Sequence, residues 1–83
     1  MNEFNNYTTV QISAKIYWGF NIEIPNFKIV TMSDKDIIDE IENFMKTFFK
    51  IHGLDELTEG IDKLNLHIHD RPPLGQKIYV CDH

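Results

Sequence analysis

Residues 34–51 constrain the fold more than any other stretch of the chain. Set on a helix at about 100° per residue, Ile37, Ile38, Ile41, Phe44, Met45, Phe48, Phe49 and Ile51 gather on one side. Asp36, Asp39, Glu40, Glu42, Asn43, Lys46, Thr47 and Lys50 take the other. A division this complete describes a helix lying with one face on a second layer. The ends agree with it. Ser33 precedes the segment with a hydroxyl able to cap first-turn N–H groups, and Asp36 follows three residues later, an acidic form of the capping box. Gly53 stands just past the far end. Acids crowd the start and Lys46 and Lys50 lie near the finish, as the helix dipole favours.

The layer beneath is written in period-two patterns. Val10, Ile12, Ala14, Ile16 and Trp18 alternate with Thr9, Gln11, Ser13, Lys15 and Tyr17, which predicts a half-buried strand from Thr8 to Trp18. Gly19 is the natural turn after it. Ile22 and Ile24 alternate with Asn21 and Glu23. Pro25-Asn26 then interrupts, and Phe27 and Ile29 resume with the opposite parity. We expect one bulged edge strand over Ile22–Ile29, with two short strands split by a turn as the alternative. Leu54–Lys63 reads as a connector with one helical turn at Asp55–Glu59, anchored by Leu57 and Ile61. Leu64, Leu66 and Ile68 share a side opposite Asn65, His67 and His69. Arg71-Pro72-Pro73-Leu74-Gly75 is not a regular strand; it reads as a stiff connector, or else a recognition loop. Ile78 and Val80 then face opposite Tyr79, Cys81 and His83.

The predicted fold is α+β, in the order ββαββ, with one amphipathic helix on one face of a mixed four-stranded sheet. The opening alternation Val10-Gln11-Ile12-Ser13-Ala14-Lys15-Ile16, the Gly19 turn, the capped start Ser33-Asp34-Lys35-Asp36-Ile37-Ile38 and the closing strand Lys77 to Cys81 make the chain resemble the ubiquitin-like β-grasp superfamily over nearly its whole length. The resemblance implies a last strand parallel to the first and beside it. Two features depart from it. The chain ends Cys81-Asp82-His83 where conjugated members end Gly-Gly, so activation for isopeptide transfer is not expected. The outer sheet face (Gln11, Ser13, Lys15, Tyr17, Asn65, His67, His69, Tyr79, Cys81 and His83) is polar, where ubiquitin-like proteins often carry an apolar patch.

Length sets one domain over 1–83, with 1–7 expected to fray. Eight basic against thirteen acidic residues give a net charge of −5. That argues against nucleic acid as a partner and lends nothing to an anionic membrane surface. No apolar run nears the roughly 20 residues that span a bilayer. The single cysteine allows no internal disulfide, and an acid stands near the start where a signal peptide carries bases, so a cytoplasmic protein is expected. Twelve Ile, seven Asn and seven Lys against one Arg and one Ala are what an AT-rich genome writes: a low-GC bacterium, a phage or a large DNA virus, the last placing the protein in host cytoplasm.

His67-x-His69 and Cys81-x-His83 are the residues with most chemistry. Their spacing puts each pair on one face of its strand. Since Leu66, Ile68, Ile78 and Val80 must face the helix, the four face outward. With Ile68 opposite Val80, His67 lies opposite Cys81, with Cβ atoms about 4.5–5.5 Å apart. Three imidazoles and a thiolate then approach a tetrahedral zinc site; the competing reading is a solvated polar face. Zinc is the sole cofactor the residues suggest. Cys81 with a histidine makes an incomplete catalytic set, with nothing to orient the base and no oxyanion donor, and Gly19, Gly53, Gly60 and Gly75 form no phosphate loop. The acids Asp34, Asp36, Asp39, Glu40 and Glu42 can dock a basic partner or simply hydrate the helix. The expectation is a non-enzymatic protein-interaction module, such as a small viral or phage accessory protein, binding a protein through Tyr17, His67, His69 and Tyr79. The alternative is a zinc protein using His67, His69, Cys81 and His83. Monomer or weak homodimer is expected, self-association running through the Ile22–Ile29 edge.

Overall fold

The computed structural model describes residues 6–82. Strand β1 (Tyr7–Ser13) leads through a 3-10 turn (Lys15–Tyr17) to β2 (Asn21–Pro25) and the one-turn helix α1 (Asn26–Ile29). Helix α2 (Asp34–Ile51) follows, then α3 (Glu56–Asp62), β3 (Leu66–Ile68) and β4 (Ile78–Asp82). The sheet order is β2-β1-β4-β3. β1 runs antiparallel to β2 and parallel to β4, and β3 runs antiparallel to β4. The protein is therefore α+β with a mixed four-stranded sheet, and its last strand lies beside its first.

Helix α2 spans the expected residues. The Ser33 hydroxyl accepts from the Asp36 amide at 3.1 Å and the Asp36 carboxylate accepts from the Ser33 amide at 3.1 Å, closing the capping box. At the other end the Leu54 amide reaches the Phe49 carbonyl and the Gly53 amide reaches the Lys50 carbonyl. With Gly53 at φ 73°, this is the left-handed termination that glycine permits. Ile37, Ile41, Met45 and Phe49 are buried against Val10, Ile12, Ile24, Ile78 and Val80 of the sheet. The rest of the apolar stripe overhangs: Phe44 and Phe48 are half in solvent and Ile51 is 74 % exposed. The sheet is too narrow to cover every apolar residue of an eighteen-residue helix.

Several expectations are corrected. β1 stops at Ser13, not Trp18. Lys15 turns the chain at φ 45°, and the Tyr17 amide bonds back to the Ala14 carbonyl. The parity flips there, so Tyr17 enters the core at 4 % exposure while Ile16 (74 %) and Trp18 (67 %) stand in water. The cause is α3: the Tyr17 hydroxyl donates to the Leu57 carbonyl at 2.8 Å, and its ring packs on Phe49 with centroids 5.9 Å apart. The Ile22–Ile29 segment is neither a bulged strand nor two strands. Pro25 ends β2 and residues 26–29 coil into α1, which buries Ile29 and leaves Phe27 exposed. The connector holds two helical turns of α3, anchored by the fully buried Ile61. The described residues thus form three α-helices where the sequence pattern predicts one and a single further turn. Tyr7 belongs to β1, and the Asn6 carbonyl accepts from the Asn26 amide at 2.8 Å, so 6 and 7 are paired rather than frayed; the expectation for 1–5 lies outside the described residues.

Two polar ties hold the layers in register. Thr8, 2 % exposed, donates to Asn26 Oδ1 at 2.6 Å and accepts from the Gly75 amide at 3.1 Å. The single arginine, Arg71, donates to the Ile29 carbonyl (3.3 Å), the Met32 carbonyl (3.2 Å) and Asp34 Oδ1 (2.9 Å). Its planar fork joins the β3–β4 connector to the junction of α1 and α2. The Arg71-Pro72-Pro73 stretch is thereby moored at its first residue.

Candidate functional site

Two surfaces present candidate functional side chains, and they lie on different parts of the fold. The first is the outer sheet face. β3 and β4 pair with Ile68 opposite Val80 and His67 opposite Cys81, as the alternation requires. Period-two patterning buries Val80 and turns Cys81 and His67 to the far side, where both are half-buried. His69 lies one residue beyond the end of β3 and is exposed. The His67 and His69 rings meet edge to face with centroids 4.9 Å apart. A shallow cavity of about 170 Å³ opens here, lined by His69, Asp70, Pro72, Lys77, Tyr79 and Cys81. The Lys77 ammonium stands 5.8 Å from the centre of the exposed Tyr79 ring, within range of a cation–π contact. At the end of β4 the Asp82 carboxylate accepts from the Asn65 amide at 2.8 Å and lies 3.5 Å from the Lys15 ammonium.

The structure brings His67, His69 and Cys81 to one face, and Tyr79 with them. Tyr17 leaves the predicted partner surface altogether, because its ring is core. Burial pushes its phenol above the ordinary value of 10.0. Among the described residues no group of three or more His, Cys, Asp or Glu is placed to hold a metal ion. His83, the fourth proposed ligand, lies outside the described residues. The flatness of the face explains why the three described donors do not converge: strand side chains stand perpendicular to the sheet and side by side, whereas a tetrahedral ion needs donors aimed at one point.

The second surface is apolar and lies where the β1–β2 turn meets α3 and the C-terminal end of α2. Tyr17 fixes its place by packing inward on Phe49 and Leu57. Its neighbours Ile16 and Trp18 consequently point outward, and Ile51 and Leu54 at the end of α2 are exposed as well. Sequence alternation assigned Ile16 and Trp18 to the core and so missed this surface. The available signal was the adjacent pair Tyr17-Trp18: two large aromatics on opposite parities cannot both face the helix. A further apolar strip, separate from these two surfaces, runs along the side of α2. Phe44 and Phe48 stack with Phe20, which precedes β2, at centroid distances of 6.1 and 5.2 Å.

The charges on α2 are mostly paired locally. Lys35 meets Asp39 at 3.1 Å, Lys28 of α1 meets Glu40 at 3.8 Å, and Lys46 meets Asp62 of α3 at 2.6 Å. The hydrogen bond to Asp62 raises the Lys46 pKa. Burial lifts that of Glu42, against the opposing pull of Lys46. Among the described residues no helix is long and apolar enough to cross a membrane. No family model, curated protein or solved structure matches the chain.

Proposed function

We propose that this chain is a non-catalytic protein-interaction module on a ubiquitin-like β-grasp fold, and that it docks its partner protein through Ile16, Trp18 and Ile51. The observation that carries this reading is the outward pair Ile16 and Trp18, 74 % and 67 % exposed. Large apolar side chains left exposed on adjoining elements mark interaction sites, and tryptophan dominates binding hot spots. The strand order β2-β1-β4-β3, with parallel β1 and β4, supports the β-grasp assignment. A small accessory protein of a phage or virus, acting on a host or viral partner, suits the Ile-, Asn- and Lys-rich composition that an AT-rich genome writes.

The test uses the full chain as bait in native cells, followed by binding of the purified captured protein. Trp18 is the only tryptophan, so its fluorescence reports the contact directly. We expect a blue shift on binding, and a loss of affinity of about 30-fold for Trp18→Ala, the size of a typical hot-spot truncation. His69→Ala and Tyr79→Ala should bind as the wild type does. Undiminished binding by an Ile16→Ser/Trp18→Ala variant overturns the assignment of this surface.

A further inference from the structure

Among the described residues β2 is an edge strand, and its outer side is chemically specified. The Phe20 carbonyl accepts from the Ile12 amide and the Asn26 amide donates to the Asn6 carbonyl, while Ile22 and Ile24 sit opposite Val10 and Thr8. Even-numbered residues of this stretch therefore turn their backbone groups to β1. In an antiparallel ladder the intervening residues turn theirs the other way, so Asn21 and Glu23 present N–H and C=O to the open edge. Pro25 occupies the next outward position and has no N–H to offer. At the other end the Gly19 amide is already bonded to the Ile12 carbonyl. The open ladder is two residues long and closed at both ends.

We propose that two copies of the chain pair antiparallel through this edge, with Ile22 facing Ile22 of the second copy across the two-fold axis. That register sets Asn21 opposite Glu23 of the other copy, and Glu23 opposite its Asn21. Each pair exchanges two backbone hydrogen bonds. On the outer face the carboxylate of Glu23 meets the amide of Asn21. The register one step along, centred on Glu23, sets two carboxylates face to face and spends Asn21 on Pro25; like charges opposed across strands are unfavourable. Charge and proline together select the first arrangement.

The helix layer supplies the apolar part. The side of α2 that bears Glu40, Phe44 and Phe48 lies over β2, because Glu40 pairs with Lys28 of α1 and both rings stack on Phe20. The opposite side carries Lys46 toward α3. Half-buried Ile22 faces that same layer. Pairing of the edges joins two sheets into one of eight strands, places Ile22 against its counterpart, and brings each Phe44–Phe48 strip to the seam. Pro25 and Gly19 stop the ladder, so the assembly closes as a dimer and does not propagate as a fibre. A seam this short makes a weak, concentration-dependent dimer. Its ladder bonds use Asn21 and Glu23 and none of Ile16, Trp18 and Ile51, so Glu23→Pro tests the dimer without altering the docking residues above.

Sedimentation equilibrium of the full chain from micromolar to millimolar concentration tests this. The expected result is a monomer–dimer equilibrium. Glu23→Pro removes an outward amide and no β1–β2 bond; it should weaken dimerisation by about 30-fold, the effect of losing the two bonds that the two Glu23 amides donate. Phe44→Glu, on the helix side, should also weaken it and serves if the proline variant misfolds by circular dichroism. Ile22→Cys in a Cys81→Ser background should oxidise to a covalent dimer, since residues opposed across a non-hydrogen-bonded pair lie at a Cα separation of about 4.5 Å, within disulfide reach. Glu23→Cys in the same background should not. A chain that stays monomeric at millimolar concentration, a dimer indifferent to Glu23→Pro and Phe44→Glu, or cross-linking through position 23 in preference to 22 would each overturn the proposal. So would capture of an extended foreign peptide by a monomer at this edge.

Discussion

Gly60 lies in the middle of α3, where alanine is normally better than glycine by about 0.8–1.0 kcal/mol. Helix propensity alone therefore makes Gly60→Ala a stabilising change. The structure reverses the sign. A Cβ at position 60 would collide with the Tyr17 hydroxyl, which is held in place by its bond to the Leu57 carbonyl. Either the ring or α3 must shift. Overpacking of this kind costs about 1–3 kcal/mol, and displacing the ring loosens a hydrogen bond with a net value of about 1 kcal/mol. Set against the propensity gain, Gly60→Ala should destabilise by about 2 kcal/mol. Tyr17→Phe alone should cost about 1 kcal/mol through the lost hydrogen bond. With the hydroxyl gone, the nearest remaining ring atom is Cζ at 3.4 Å, an ordinary contact. The double variant therefore recovers the propensity gain and should lie within about 0.5 kcal/mol of wild type, a coupling of about 3 kcal/mol. Urea unfolding of the four proteins, with unchanged m-values, measures this cycle. A stabilising Gly60→Ala in the wild-type background, or additive effects, would refute the account of why Tyr17 turns inward.

The polar ties at Thr8 and Arg71 and the buried Tyr17 phenol can be tested in the same way. Thr8→Val keeps the shape but strips the Gly75 amide and the Asn26 side chain of their shared partner, so urea unfolding should show a loss of about 1–3 kcal/mol. Arg71→Ala should cost about 1–2 kcal/mol in the same assay, and Arg71→Lys should recover less than half, because an ammonium cannot reach three acceptors as a planar fork does. The Tyr17 phenol, raised by burial, stays protonated in the folded state at pH values where the unfolded chain ionises. Its contribution is whole below its unfolded value of 10.0 and is lost as pH climbs from there through the folded value; wild type should lose stability over that alkaline window, and Tyr17→Phe should lose less.

Much of this architecture is legible in the chain because period and parity decide it locally. The Ser33 cap, the span of α2, the Ile68–Val80 register and the His67–Cys81 opposition all follow from which residues must avoid water. The errors occur where local pattern and tertiary demand disagree. Alternation runs unbroken through Ile16 and Trp18, yet the chain turns at Lys15 so that Tyr17 can reach a carbonyl forty residues away. Nothing near residue 17 announces Leu57. Phe27 and Ile29 have strand-like chemistry, but Pro25 ends the ladder and a single helical turn buries Ile29 more cheaply. The apolar surface at Ile16, Trp18 and Ile51 was hidden for the same reason: on the pattern alone, these residues belong to the interior. On the outer sheet face the placement of Tyr79 and Cys81 is legible, since burying Ile78 and Val80 leaves them no other direction; Lys15 and Tyr17 fall in the turn after β1 instead, and His83 lies outside the described residues.

The place of β4 has a kinetic consequence. The hairpin of β1 and β2 closes over a short turn, but β4 must arrive between β1 and β3 from far along the chain, aligning Ile78 with Val10. Until it does, β1 has one neighbour and β3 has none. The helices can form and even dock, yet the sheet has a gap down its middle, and entropy opposes filling it over so long a loop. Filling that gap is the slow, cooperative event, and Arg71, gripping the α1–α2 junction just upstream of the incoming strand, shortens the free tether across which β4 must find its slot.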